Sequence, residues 1–268
     1  MTISGEAWRK YILALAKVDS AATSQMQKFF SQYGTFNPDN AEEMKLLVNY
    51  AYGISTKYGE AAAELACQMY DACGLASGMF LEPAVPADVA DYTEVAKTVY
   101  GTAKKTQNVE RMTAAVTRLV KRAGQDTTLK NARRDGAQFA WVPNGDTCAY
   151  CIALASRGWQ DTYQSVEKGG HAEHIHSNCD CAYAVRFNTS TRVDGYDPDK
   201  YLKMYEAGAD VPYINEDNSH PKNDALWRKR LNGMRRKAYA ETKSRVANLT
   251  PEQQSAILNS SIADEIRV

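Results

Sequence analysis

The sequence predicts a mostly α chain with a small α+β module. A helical N-terminal region spans 1–135, a Cys/His-stapled module with a short β-sheet spans 136–195, and a helical, basic C-terminal tail spans 196–268. Three observations carry this. Apolar residues recur at three- and four-residue steps through most of the first 135 positions. The texture then changes to short alternating runs, QFAWVPN and CAYAVRF, which read as strands. Between those runs, and at the first residue of the second, lie four of the six cysteines, with three of the four histidines.

The elements follow in order. Trp8, Tyr11, Ile12, Leu15 and Ala16 keep the helical period of one buried face. The breaker GTFNPDN ends that helix, and Asp39 or Asn40 caps the next, with Glu42 and Glu43 suiting its positive end. Gly53 and Gly59 weaken the middle of this second helix, and Gly74 is expected to stop it. The connector LEPAVPADVADY is punctuated by proline, with a helix start expected near Ala87. TEVAKTVYGTAKK and NVERMTAAVTRLVKRAG have helical period, with Met112, Val116 and Leu119 or Val120 on one face. DTTLKNARRDG reads as a further short helix stopping at Gly136. In QFAWVPN, Phe139 and Trp141 share a strand face ahead of a turn at Pro143-Asn144-Gly145. After the second strand come DPDKYLKMYEAGA, a basic helix from about Asn223 to Ala247, and a last helix opened by Thr250-Pro251-Glu252.

Bulk composition narrows the function classes. With 44% apolar and 24% charged residues, the 268-residue chain is ordinary for a globular protein. No run of about 18 apolar residues exists, so neither a transmembrane helix nor a membrane partner is expected. The only apolar run near the start, YILALA, is too brief for a signal peptide, so synthesis in a cytoplasm is expected. The net charge of zero is unevenly spread. Residues 1–100 hold 12 acidic and 7 basic side chains. Residues 222–245 hold nine basic side chains against Asp224 and Glu241. Arg228, Lys229, Arg230, Arg235, Arg236 and Lys237 form the densest part of this run, a candidate contact for nucleic acid or another anionic partner; a solvated helix face is the alternative. Trp227, beside them, is expected to cover the helix's own core.

Cys148-x2-Cys151 is followed by His176, Cys179 and Cys181. A C-x2-C turn brings two sulfurs to one side of a knuckle, which suits the tetrahedral Zn site with its roughly 2.3 Å Zn–S bonds. Five candidates compete for four positions, so Cys₄ and Cys₃His sets both remain open. A disulfide clasp and a set of reduced, packed cysteines are the competing readings. Catalytic readings fare worse. His171-Ala-Glu173 with a C-x-x-C shares pieces with the zinc deaminases, but in reversed order and without a proline before Cys148. No phosphate loop, H-E-x-x-H helix or G-x-S-x-G elbow is present. His171 and His174 read as exposed loop residues. Cys67 and Cys73, six apart on a helix, read as buried free thiols. Tyr50, Tyr52, Tyr58 and Tyr70 read as helix packing rather than base-stacking platforms.

Asp146-x-Cys148-x2-Cys151, LASRGW (154–159) and His176-x-Asn178-Cys179-x-Cys181 together resemble the signature of phage minor head proteins. These are the head-morphogenesis proteins related to the F protein of phage Mu (MuF-like). The Trp8-x2-Tyr11 helix and YGEAAAELACQMYDACG resemble the helical part these proteins carry before the cysteine module. The resemblance covers about residues 5–195, most specifically 138–187; the basic tail is outside it. This chain has Asp180 where many relatives carry a basic residue. The resemblance implies a structural, non-enzymatic virion component inside the phage head at the portal vertex. Its expected partners are the portal protein, phage DNA, and scaffold or major capsid protein, in head assembly and DNA packaging or ejection. It also implies that Cys148, Cys151, His176, Cys179 and Cys181 form one module, with structural zinc expected from their spacing. Two alternatives stand beside it. One is a zinc-dependent hydrolase or toxin-like effector packaged in the head, with Glu173 as base. The other is a nucleic-acid-binding protein using the basic helix.

Overall fold

The computed structural model describes residues 2–144, 147–162, 181–210, 226–247 and 250. The chain is mostly helical, with a small three-stranded antiparallel sheet. It divides into two compact units: residues 1–147 with 158–196, and residues 148–157 with 197–268.

The first unit is built on four helices: α1 (Gly5–Tyr33), α2 (Ala41–Ala76), α3 (Tyr92–Ala103) and α4 (Val109–Arg134). Each starts on a side-chain cap that accepts an orphan amide of the first turn. Ser4 takes Ala7 N–H, Asp91 takes Glu94 N–H and Asn108 takes Arg111 N–H. At α2 the cap is reciprocal: Asn40 Oδ1 accepts from Glu42 and Glu43, while Glu43 accepts from the Asn40 amide and Asn37 N–H. The core lies where the apolar stripes meet, around Met26, Met44, Leu47, Val48, Val95, Val99, Val116 and Leu119. Phe29 stacks on Tyr50 (4.2 Å) and Phe36 (5.4 Å), so Tyr50 serves packing. Tyr52 and Tyr58 pack partly buried against the same core, and Tyr70 is fully buried.

Three expectations change here. α2 runs unbroken through Gly53 and Gly59 and continues past Gly74 to Ala76. At Gly74 a Cβ would collide with the Leu81 side chain, so that glycine admits a neighbour instead of ending the helix. α4 is likewise one helix, absorbing the expected separate DTTLKNARRDG segment. Its Gly124 lies where a Cβ would come 3.1 Å from the Ala62 carbonyl oxygen, so the close approach of α2 to α4 requires it. The helix start expected near Ala87 is absent: residues 79–91 form neither helix nor strand, and α3 begins only after Asp91.

That connector is held by one face of α4 and by Asp71 of α2. Asp71 accepts from Ala84 N–H, Thr127 from Ala87 N–H, and Asn131 exchanges two hydrogen bonds with the Val85 backbone. Lys130 donates to Pro86 O, and Arg134 donates to Glu82 O and Pro83 O. Thr127, Lys130, Asn131 and Arg134 are spaced as a single helix face. They replace the ladder that the two prolines deny the connector.

The sheet has β2 (Gln138–Val142) at its centre, flanked antiparallel by β3 (Gln160–Asp161) and β4 (Ala182–Arg186). Phe139 faces Val185 and Trp141 faces Tyr183 across the ladder. Phe139, Trp141 and Tyr183 contact each other edge-on or tilted, at 4.7–5.8 Å, on the shared face that alternation predicts. A two-residue parallel pair joins β1 (Thr2–Ile3) to β5 (Arg192–Val193).

The second unit holds α5 (Ala149–Ala155), α6 (Pro198–Ala207) with a following 3-10 turn (Gly208–Asp210), and α7 (Leu226–Ala247). Asp197 caps α6, with Pro198 in its first turn. Ile152, Leu231 and Met234 form its small core, with Tyr201 and Tyr205 packed against it. The helix expected from Thr250-Pro251 lies outside the described residues.

Candidate functional site

Cys148 is the N-cap of α5, and its extended backbone (φ −67°, ψ 158°) turns the sulfur back over the first helical turn. Its Sγ accepts the Cys151 N–H at 3.3 Å. An amide aimed at a sulfur favours charge on it, as a metal-ligating thiolate requires. Cys148 is half-buried and Cys151 is 1% exposed. The amide of Cys151 thus sits against the Cys148 sulfur at the start of α5.

Cys181 stands directly before β4 in the first unit. It is buried, and its carbonyl oxygen accepts from Gln125 Nε2 of α4 at 2.9 Å. The Gln125 Oε1 atom is buried and finds no hydrogen-bond donor among the described residues. His176 and Cys179 lie outside the described residues, as do His171, Glu173 and His174. Among the described residues, no three His, Cys, Asp or Glu side chains gather as a metal-holding group.

Cys67 and Cys73 belong to neither arrangement. Both are buried free thiols on α2. Burial pushes Cys67 up to about 11 and Cys73 up to about 12, so both stay protonated at neutral pH.

Of the six basic candidates on α7, Arg228, Lys229, Arg235 and Lys237 are exposed. Arg230 is half-buried with its guanidinium 5.0 Å from the Tyr205 ring centroid, and Arg236 is half-buried. Trp227 does not cover a core. It is 52% exposed, with the Arg228 guanidinium 5.3 Å from its ring centroid, because Leu231 and Met234 take the inward positions. Sequence reasoning missed the connector-binding face of α4. Its signal was the polar i, i+3, i+4, i+7 set at Thr127, Lys130, Asn131 and Arg134, opposite a proline-rich stretch.

A profile of the VG15 protein family matches residues 2–208. The chain belongs to the VG15 protein family. VG15 is a family of viral proteins, and the match takes in α1 to α6, the three-stranded sheet, and the Cys148–Cys151 knuckle. No curated protein and no solved structure matches the chain. Helix α7 lies beyond the part matched to VG15. Among the described residues, no helix is long and apolar enough to cross a membrane.

Proposed function

We propose that this VG15 member is a structural minor head protein of a phage, of the MuF-like kind. It is made in the host cytoplasm and seated inside the head at the portal vertex, where it serves head assembly and DNA packaging or ejection. The observation that carries the reading is the motif D-x-C-x2-C … H-x-N-C-x-C, within a span that belongs to a viral family. The portal protein is its principal partner, with scaffold or major capsid protein as neighbours during assembly. The role requires no catalysis, only a rigid module that docks. Stoichiometric co-purification with portal or procapsid from infected cells is the expected result. Recovery only as free protein from infected cytosol would overturn it.

A zinc ion held by four of Cys148, Cys151, His176, Cys179 and Cys181 would close the cysteine module. The donor chemistry at the described end suits it, because the Cys148 sulfur already accepts an amide in the knuckle geometry. Bound there, zinc would contribute folding free energy directly and act as a staple, with no open catalytic position. Elemental analysis with thiol counting on the purified protein tests this. Stoichiometric zinc, with the clustered thiols reactive only after chelation, is expected. Absence of metal, with only Cys67 and Cys73 reactive after denaturation, would mean that sulfur–sulfur bonds do the stapling.

A further inference from the structure

We propose that Gln125 is a positioning residue for the zinc site proposed above. Its Nε2 fixes Cys181 as a ligand arm, and its Oε1 receives a hydrogen-bond donor when the cysteine module closes. Gln125 lies inside α4 and is 7% exposed. Nε2 donates to Cys181 O at 2.9 Å, and both residues are buried. The ladder of β2 and β4 ends at the Val142–Ala182 pair, so Cys181 stands one residue past it. There a side-chain amide carried by a packed helix holds the backbone. Fixing the backbone at Cys181 fixes the point from which its sulfur is presented.

The other end of the same amide separates a role in the fold from a role in the site. Only the amide nitrogen can donate to a carbonyl, so the group cannot be flipped, and Oε1 is the atom left over. That atom is buried and has no donor among the described residues. A buried acceptor without a donor costs its full desolvation, and such atoms are rare in folded chains. A residue serving the fold alone would supply the donor without that cost. Groups that hold a metal are in turn held by further hydrogen bonds, and an acceptor beside Cys181 suits an N–H of the ligand set or of the backbone carrying it. Being neutral, the amide adds no charge beside thiolates.

The inference rests on the zinc reading above, and its failure is distinguishable from the failure of that reading. Zinc affinity of the purified full chain is measured by competition with a chromophoric chelator, for the native protein and for Gln125→Leu. A loss of about 10–100-fold is expected in the variant. Thr128→Val, which removes another buried polar group of α4, is the control and should change zinc affinity less than ~3-fold. Cobalt(II) in place of zinc supplies a second readout. Its thiolate-to-metal absorption should shift in Gln125→Leu, which a loss of packing remote from the ligands does not cause. Circular dichroism certifies folding, and Gln125→Met, closer in shape, takes the place of Gln125→Leu if that variant does not fold. Native zinc affinity with an unchanged cobalt spectrum in the folded variant would overturn this proposal and leave the zinc reading standing. An affinity loss equal to that of Thr128→Val would overturn it as well. A native chain that binds no zinc would overturn both.

Discussion

Asn131 treats the backbone of Val85 as a strand partner: its Oδ1 accepts Val85 N–H at 2.9 Å and its Nδ2 donates to Val85 O at 2.8 Å. The same Nδ2 donates to Thr127 O within α4, and the residue is fully buried. Asn131→Ala would remove the partner of both backbone groups of Val85 in a part-buried site. A loss of about 1–3 kcal/mol is expected, read as a lowered urea midpoint with unchanged slope. Asn131→Asp should also destabilise, because the carboxylate cannot donate to Val85 O.

In the second unit, Gly208 and Gly233 meet backbone to backbone. A Cβ on Gly233 would fall inside the Gly208 carbonyl oxygen, and one on Gly208 would overlap the Arg230 carbonyl. Neither obstacle is a flexible side-chain tip, so the helices must separate to accept a methyl. Gly233→Ala should cost on the order of 1–3 kcal/mol despite its better helix propensity. The variant should open the peptide bonds of α7 to limited proteolysis. A Gly233→Ala protein as resistant as the native chain would contradict the crossing.

Acid should weaken the first unit through Asp135. The Arg134 guanidinium holds this carboxyl below its usual range, with Tyr70 O–H adding a 2.9 Å bond to Oδ2, against burial acting upward. A carboxyl depressed in the folded state stabilises above its unfolded value, near 4. That contribution is lost as pH falls through the folded value. Asp135→Asn should therefore cost on the order of 1 kcal/mol at neutral pH, with the gap to the native protein closing below about pH 4. Urea titrations at several pH values would show the convergence, and parallel curves would refute it.

Native labelling should separate the cysteines by environment. Cys67 and Cys73 are raised by burial on α2, so alkylation near pH 7.5 should be slow at both until the unit unfolds. Mass spectrometry after a brief iodoacetamide pulse would locate the label. Rapid modification of Cys73 in folded protein would contradict its burial.

Much of this fold was legible because its signals are local. The stripes at Met112, Val116 and Leu119, the cap at Asn40, and the shared face of Phe139 and Trp141 follow from chain periodicity and one-turn chemistry. The misreadings share a cause: a distant partner outweighed local preference. Gly74 reads locally as a helix stop, yet it lies inside α2 with the Leu81 side chain close against it. A glycine costs about 1 kcal/mol in a helix, which close packing over several turns readily offsets. Residues near Ala87 look helical by composition, but Thr127 and Asn131 take the amides of Ala87 and Val85 instead. For the candidate site, the contact of Cys148 with the Cys151 amide is local, while the other candidates are far along the chain. Trp227 was misjudged because α7 has enough inward apolar residues without it.

The connector bound along α4 has a consequence for proteases and for hydrogen exchange. A stretch with no helix or sheet of its own would ordinarily be the first place to be cut. Here the amides of Ala84, Val85 and Ala87 are each occupied by a side chain of α2 or α4. Their exchange should track the opening of the helices that hold them rather than the rate of a loop. The vulnerable point moves upstream to Phe80, whose side chain is 105% exposed at the tip of the turn after α2. Chymotrypsin should enter there and leave the proline-rich stretch beyond it intact.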